Sequence, residues 1–452
     1  MTQYRVLLVP DSIYWVTGTI AKSIAAANPW MDATILSGAV LDELLPDPAE
    51  IAERFDLAHF LCPYATKKWL PLLKPLMPVV TSHHHVTSWD LVSHNLDGDA
   101  IIAGSEEWVT DLRTRGADMD RVFRVPYGVD TDKFAPADPE RRRAQKAKIG
   151  LGAAGPVIGF FAKRASNDDD RKGTEVFVEA VMQLSARLPD TGVLIVGPGW
   201  QKMVARFRRR GIPCAWMPSV KDIADIPPLY HALDFYWVTA RVEGGPVPLL
   251  EAMSSGVCCL STRVGLARDI VHDGVNAVFQ PMGEASAFAL ATETLWNDAP
   301  ARENVAVEAR RTMVREMKWQ DTAQLVSGPY SHAVASLAAR AGRQPVTPFP
   351  SYLQGAHGRV RAATVRVDGL TAKEARRASL LEDLAWAENL ILYQNQYAAA
   401  MRLVATAWWN NPLSHRPARV LLRRGLPDRV VRFVVRLRQS RTPGGATARV
   451  ER

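Results

Sequence analysis

The sequence predicts an α/β protein with two doubly wound parallel sheets that face a cleft, followed by a helical C-terminal extension. A chain of 452 residues exceeds one ordinary domain, so we expect two domains and additional material. Short apolar runs alternate with amphipathic segments in two successive series, and a polar stretch separates the series. Strands that alternate with helices are typical of parallel sheets covered on both faces.

The first series fills residues 1–140, and its predicted strands are YRVLLVP, DLAHFLC, PVVTSHH, AIIAGS and RVFRVPYG, with a helix at TGTIAKSIAAA. The second series fills residues 150–340. Its strands are VIGFFAK, GVLIVGPG, DFYWVTA, GVCCLST and NAVFQP, with helices such as GTEVFVEAVMQLSARL. Ligands of such sheets bind beyond the carboxyl ends of the strands, so the loops that follow the strands are predicted to carry the site.

Residues 341–452 are predicted to form a connector, a long helix and a basic tail. Thr371 and Glu374 form a capping box that opens a helix over 371–409, through which the protein could form oligomers. The apolar stripe of this helix is Leu380, Leu384, Ala387, Ile391, Ala398, Met401, Ala405 and Trp408.

Positive charge is concentrated in the tail. The chain has a net charge of +8, and Arg416–Arg441 contains nine arginines against one acid, Asp428. Any attraction to an anionic surface therefore belongs to the tail. Its apolar residues would share one face of a helix, which is typical of segments that lie on anionic membrane. Docking on the protein body and nucleic-acid binding are the alternatives, and nucleic acid is the less favoured partner.

The composition is that of a globular protein that does not cross a membrane. No apolar run reaches the roughly 18 residues that a membrane span requires, and the first residues resemble a strand instead of a signal peptide. The four cysteines show no CxxC spacing, which favours reduced thiols. We expect a cytoplasmic protein, peripheral at most at the inner face of a membrane.

The stretch EGGPVPLLEAMSSG, which begins at Glu243, joins a predicted strand to a helix. Gly244 and Gly245 have no side chains, so a ligand could approach the backbone closely. Pro248 suits the first turn of the helix, and the last glycine of the stretch ends it. The helix N-terminus predicts an anion site, with Glu251 accepting hydrogen bonds from hydroxyl groups beside a bound phosphate.

Two glutamates separated by seven residues, with the second followed by Ala-Met and a small-residue run to glycine, resemble glycosyltransferase family 4. The stretch AIIAGSEEWVTDLRTRGADMDRVFRVPYGVDTDKF is similar to another part of that family, and the resemblance covers about Tyr4 to Leu337. It implies a GT-B fold of two Rossmann-like domains and a retaining hexosyl transfer from a nucleotide sugar, UDP- or GDP-linked. The implied acceptor is a glycan or a lipid-linked glycan.

The resemblance assigns Glu251 to the ribose hydroxyls of the donor and Glu243 to the transferred sugar. The N–H groups of Gly244, Gly245 and Val247 would contact sugar and phosphate oxygens. Relatives usually have glycine where this chain has Pro246, which cannot donate, so the identity of the sugar stays open.

Cations beside the donor phosphates are implied in the stretch FFAKRASNDDDRKG. Lys172 matches a family lysine before glycine and would stabilise the leaving group. Strand register favours Lys163 and residue type favours Arg164 for a second cation, and both stay open. The aspartates 168–170 resemble a metal-binding Asp-x-Asp, but GT-B enzymes generally need no metal. We therefore expect neither a metal nor a cofactor besides the nucleotide sugar.

The predicted strand VVTSHHH ends in three histidines, of which His83 fits the family register and is expected to face the donor sugar. Gly18 lies where relatives have glycines between the first strand and helix, and is expected near the donor. Glu243, Lys172 and His83 are thus the predicted catalytic residues. A glycoside phosphorylase, and a glycosyltransferase that acts on protein or DNA, are the alternative functions.

Overall fold

A computed structural model describes residues 4–85, 88–164, 170–218, 220, 223–342, 370–394 and 397–410. The chain divides into two units, Met1–Thr371 and Ala372–Arg452, each with its own internal contacts. Within the described ranges, every helix is too short or too polar to span a bilayer.

The first half of the larger unit contains a sheet of six parallel strands in the order β2-β1-β3-β4-β5-β6. The strands are β1 Tyr4–Val9, β2 Met31–Ile35, β3 Leu57–Phe60, β4 Val79–His83, β5 Ala100–Ala103 and β6 Val122–Arg124. The helices are α1 Val16–Ala27, α2 Gly38–Leu44, α3 Pro48–Arg54, α4 Pro63–Leu73, α5 Trp89–Val92 and α6 Glu106–Thr114. The central strands are almost fully buried, as their continuous apolar runs predict.

The second half contains another six-stranded parallel sheet, in the order β12-β11-β10-β7-β8-β9. Its strands are β7 Val157–Phe161, β8 Gly192–Val196, β9 Cys214–Met217, β10 Phe235–Val238, β11 Cys258–Ser261 and β12 Val278–Phe279. Its helices are α7 Pro139–Lys148, α8 Thr174–Arg187, α9 Gln201–Arg209, α10 Pro227–His231, α11 Val247–Ser254, α12 Ala267–Ile270, α13 Ala285–Asn297 and α14 Ala299–Glu316. The prediction of two doubly wound parallel sheets is confirmed.

The strand order of the second sheet determines where a site can form. The chain builds β7, β8 and β9 outward on one side, then returns to place β10 beside β7, with Phe235 opposite Ile158. The order reverses between these two strands. Open α/β sheets bind ligands at the carboxyl ends of strands where the order reverses, so the loops after β7 and β10 are the expected place of a site.

The chain then returns to the first half. Helices α15 Trp319–Thr322 and α16 Ser327–Arg340 follow α14, and α16 packs on β4, β5 and β6. The Tyr330 hydroxyl lies 2.9 Å from Nδ1 of His59, a buried residue of β3. Sequence reasoning placed this segment in the second domain because its chain position follows the second sheet, whereas its apolar face is buried on the first.

The smaller unit consists of α17 Ala372–Gln394 and α18 Tyr397–Asn410, which pack against each other. This corrects the prediction of one helix over 371–409. The buried contact comprises Leu380, Leu384, Ala387, Leu390, Ala400, Val404 and Ala407, whereas Ala405 of the predicted stripe is exposed. A stripe of continuous helical period cannot show where a chain folds back on itself. Side chains of Ile391, Ala398 and Trp408, and the tail Arg416–Arg441, lie outside the described residues.

Candidate active site

The loop that follows β10 carries Glu243, whose side chain is buried against the loop that follows β7. The Nζ of Lys172 donates to Oε1 of Glu243, and a guanidinium nitrogen of Arg171 lies 3.7 Å from Oε2. One carboxylate thus meets two cations at the point where the strand order reverses. The structure brings the predicted Glu243 and Lys172 together, and adds Arg171, which sequence reasoning had not selected.

Gly173 allows Lys172 to reach this position. It has a φ of +65°, and a Cβ added there would lie 1.9 Å from the carbonyl oxygen of Thr239, at the end of β10. The Thr239 hydroxyl in turn donates to the Gly173 carbonyl at 2.7 Å. Any side chain at position 173 would push the loop after β7 away from the loop after β10. Close packing of the two loops therefore explains why glycine follows Lys172.

Gly244 and Gly245 lie against residues of the first half. A Cβ on Gly244 would lie 2.3 Å from the carbonyl oxygen of His84, and one on Gly245 would lie 2.2 Å from the ring of Tyr127. His84 and Tyr127 therefore fill the space that side chains at positions 244 and 245 would need, while contact of the two N–H groups with a ligand stays a prediction. The Tyr127 hydroxyl also contacts Nδ1 of His84, so the two residues support each other.

Helix α11 begins at Val247 with Pro248 in its first turn, and Gly256, at a φ of +69°, follows its end. The N–H of Val247 donates to the Gly245 carbonyl at 2.7 Å, and the N–H of Leu249 donates to Pro246 at 2.7 Å. These donors are therefore engaged within the loop. A contact between the Val247 N–H and a ligand stays a prediction, and it would require this N–H to leave the Gly245 carbonyl.

Glu251 lies one helical turn further, half-buried, and accepts a hydrogen bond of 2.6 Å from the hydroxyl of Tyr230 on α10. Burial raises the pKa of Glu251 to about 7, and the Tyr230 hydrogen bond partly opposes this increase. The Tyr230 ring packs on Phe161, at the end of β7, with 4.8 Å between ring centroids. An aromatic wall therefore holds this carboxylate near the carboxyl end of the central strand.

The two candidate cations after β7 have different surroundings. The Arg164 guanidinium contacts the Glu175 carboxylate in the first turn of α8, while Lys163 is exposed. The nearby Asp170 caps the same helix, with its carboxylate accepting from the N–H groups of Thr174 at 2.6 Å and Glu175 at 3.0 Å. Asp168 and Asp169 lie outside the described residues. Among the described residues, no three His, Cys, Asp or Glu side chains form a metal-binding group.

The three histidines have three different environments. The side chain of His83 is fully buried, with its ring 5.7 Å from Trp108 and its Nε2 3.6 Å from Asp111, both on α6. Burial is the main cause that lowers the pKa of His83 to about 4. Neither ring nitrogen of His83 has a hydrogen-bond partner among the described residues, and its role towards the donor stays a prediction. Its strand position directs the side chain into the first half.

His85, two positions further along, is half-buried. Burial, and then the charges of Arg171 and Lys172, lower the pKa of His85 to about 3. Side chains alternate between the two faces of a strand, so His83 and His85, two positions apart, would share a face if the strand continued to His85. The strand ends at His83, and His85 beyond it is within electrostatic reach of Arg171 and Lys172.

Gly18 lies in the first turn of α1, where a Cβ would lie 2.4 Å from the carbonyl oxygen of Ser12. Its lack of a side chain lets the β1–α1 loop pack directly on the helix. The structure thus gives Gly18 a packing reason and shows no role for it in the Glu243 loop.

Residues 155–298 match the family model for glycosyl transferases group 1. A D-inositol 3-phosphate glycosyltransferase from Xylanimonas cellulosilytica is 30% identical over 54% of this chain and 59% of its own length. A GDP-mannose-dependent phosphatidylinositol monomannoside mannosyltransferase from Mycolicibacterium smegmatis is 27% identical over 55% of this chain and 70% of its own length. This chain therefore spans less than two thirds of the first of these relatives.

Among solved structures, that of Anabaena HepE in complex with UDP and glucose is similar over 73% of this chain, with a TM-score of 0.61 and 18% identity. The lipopolysaccharide outer core galactosyltransferase WaaB is similar over 72% of this chain, with a TM-score of 0.53 and 14% identity. At these identities the likeness shows the fold. Residues 155–298 are therefore similar to the group 1 glycosyl transferases, and the two parallel sheets and the solved structures show that the chain has the GT-B fold.

Proposed function

We propose that the chain transfers a hexose from a nucleoside-diphosphate sugar to an acceptor hydroxyl, with retention of the anomeric configuration and without a metal. The observation that carries this proposal is the group of Glu243, Lys172 and Arg171 where the second sheet reverses its strand order. Retention of the anomeric configuration is proposed because the glutamate pair resembles that of glycosyltransferase family 4. The acceptor oxygen bonds to the sugar carbon on the side from which the diphosphate leaves, and its proton passes to the leaving phosphate oxygen.

The leaving diphosphate determines what the cations must do. Negative charge builds on the phosphate as the bond to the sugar breaks, and fixed cations lower the free energy of that charge. Lys172 and Arg171 are held close to Glu243, and Lys163 and Arg164 are the two further candidates in the loop after β7. The donor phosphates would compete with Glu243 for Lys172, which frees the carboxylate for the sugar hydroxyls.

The second glutamate would hold the nucleoside. Glu251 already accepts one hydroxyl hydrogen bond from Tyr230, and a carboxylate has lone pairs for further donors such as the two ribose hydroxyls. Its position eight residues after Glu243, on the buried helix α11, separates ribose binding from sugar binding along one continuous segment.

The donor would be UDP- or GDP-linked and the acceptor a glycan or lipid-linked glycan. One relative is named as GDP-mannose-dependent and as acting on a phosphatidylinositol monomannoside, and another as an enzyme of lipopolysaccharide core biosynthesis. The tail Arg416–Arg441, which lies outside the described residues, would bring the enzyme to an anionic membrane that carries such an acceptor.

The deciding experiment is a thermal-shift screen of UDP- and GDP-hexoses, because a donor that binds the folded state raises the unfolding temperature. The stabilising donor is then incubated with candidate glycan acceptors, and the anomeric proton of the product is observed by NMR. A product with the inverted configuration would contradict the retaining assignment. Free phosphate as acceptor tests the phosphorylase alternative in the same assay.

A further inference from the structure

The first turn of α6 contacts the second half at three separate places. The N–H of Glu106 donates to Oδ2 of Asp269 at 2.9 Å, and a carboxylate oxygen of Glu107 accepts from the N–H of Gly265 at 2.5 Å. The indole N–H of Trp108 donates to the carbonyl of Glu243 at 2.9 Å. Three consecutive residues of the first half therefore contact helix α12, the loop that follows β11 and the loop that follows β10.

Trp108 is itself held rigidly. Its side chain is buried, and its ring packs edge-on against His83, with 5.7 Å between the ring centroids. His83 is fully buried at the end of β4, so the indole has a fixed support behind it. Its N–H group is therefore aimed at the Glu243 carbonyl by the first sheet.

Glu243 is held by two independent groups. Trp108 binds its main-chain carbonyl, and Lys172 binds its carboxylate. The residue is followed by Gly244 and Gly245, which have few conformational restrictions of their own. His84 and Tyr127 pack against the two glycines, and the Trp108 hydrogen bond fixes the carbonyl of Glu243 itself.

We propose that Trp108 is a positioning residue that fixes the main chain of Glu243, so that its carboxylate meets the transferred sugar in the reactive orientation. This inference rests on the proposed function. Trp108 does not touch the substrate, and it acts across the interface between the two halves. The remaining interface contacts include Arg124 with Asp269 at 2.9 Å, and they do not depend on the indole N–H.

The test compares Trp108→Phe with Trp237→Phe. Phenylalanine keeps an aromatic ring against His83 but removes the N–H donor. Trp237 is a matched control, because its buried indole donates to the Thr292 hydroxyl at 3.1 Å in the core of the second half. Loss of one orienting hydrogen bond should lower kcat of Trp108→Phe about tenfold, with the donor KM and the nucleotide affinity unchanged. Trp237→Phe should keep the wild-type kcat.

Equal kcat in Trp108→Phe and wild type would overturn the inference, as would a lost nucleotide affinity with kcat preserved. A wild-type enzyme that transfers no sugar from any nucleotide sugar would instead refute the proposed function. If Trp108→Phe does not fold, Trp108→Met provides the same comparison, because methionine adapts to irregular space and also lacks the donor.

Discussion

The hydroxyl of Tyr230 donates a hydrogen bond of 2.6 Å to the carboxylate of Glu251, and so fixes the second glutamate of the pair before any ligand binds. Tyr230 is fully buried and packs on Phe161 at the end of β7. The orientation of Glu251 is therefore determined by the core of the second half and not by the loop that precedes α11.

Glu251→Ala should weaken nucleotide binding, whereas Glu243→Ala should chiefly lower turnover. Loss of hydrogen bonds to ribose hydroxyls costs roughly 1–3 kcal/mol of binding free energy. Calorimetric titration with UDP and GDP measures the first effect, and steady-state kinetics measure the second. Unchanged nucleotide affinity in Glu251→Ala would reject the ribose assignment.

The raised pKa of Glu251 predicts a dependence on pH. Ribose hydroxyls donate to the ionised carboxylate, so nucleotide affinity should increase as the pH rises through about 7. Tyr230→Phe removes the hydrogen bond that lowers this pKa, and should shift the midpoint of the binding curve to higher pH. Glu251→Gln should remove this pH dependence. An identical midpoint in Tyr230→Phe and wild type would show that Glu251 is not the titrating group.

The same pKa affects stability with a definite sign. Between the ordinary pKa of 4.5 and the folded-state value of about 7, the folded protein binds more protons at Glu251 than the unfolded chain does. The contribution of Glu251 to the free energy of unfolding should therefore decrease as the pH rises through this range. Chemical denaturation of wild type and Glu251→Gln at several pH values checks this. The difference between the two should become independent of pH below the ordinary pKa.

Lys172→Ala should reduce kcat by about 100-fold or more, because the leaving diphosphate loses a fixed cation. Asp170→Ala is the contrasting variant. Its carboxylate caps α8, so we expect a loss of about 1 kcal/mol in the free energy of unfolding and little change in kcat. Activity abolished by EDTA and restored by Mn²⁺ would transfer the role to the aspartates.

The histidines should separate by function. His83 packs inside the first half, so His83→Ala should lower the free energy of unfolding by roughly 1–3 kcal/mol. His85 lies close to Arg171 and Lys172, so His85→Ala should lower turnover with less effect on stability. Thermal denaturation and kinetics on both variants distinguish these effects. A stable His83→Ala protein with strongly reduced kcat would instead support a role for His83 at the donor sugar.

Removal of the chain after Asn411 should abolish binding to anionic liposomes. Each basic side chain near an anionic surface contributes on the order of 1 kcal/mol, and salt should weaken the interaction. Co-sedimentation of the full and truncated chains with anionic and neutral lipids measures this. Equal pelleting of the two chains would remove the membrane role, and aggregation of the truncated chain would indicate that the tail covers apolar surface.

Most strands could be predicted from local sequence because central strands of parallel sheets are continuous apolar runs. The two that sequence reasoning missed, MDATI in β2 and CAWM in β9, are edge strands. Both have a mixed composition and partial exposure and lack a continuous apolar run, whereas the other two edge strands, β6 and β12, were predicted from RVFRVPYG and NAVFQP. The break between α17 and α18 was missed because the apolar residues of both helices follow one continuous helical period, which gives no sign of the turn between them.

The sequence by itself determined two kinds of feature. One is the alternation of strands and helices that forms two parallel sheets, and the other is the short motifs that carry the glutamate pair and Lys172 before Gly173. These features depend on residues close together in the chain. The tertiary structure alone decided that His84 and Tyr127 occupy the space beside Gly244 and Gly245, that Trp108 holds Glu243, and that Tyr230 holds Glu251. Except for Tyr230, these partners are separated by more than 100 positions, and the strand order brings them together. Periodicity and spacing describe neighbours along a chain, so they carry no information about contacts that the packing of two sheets creates.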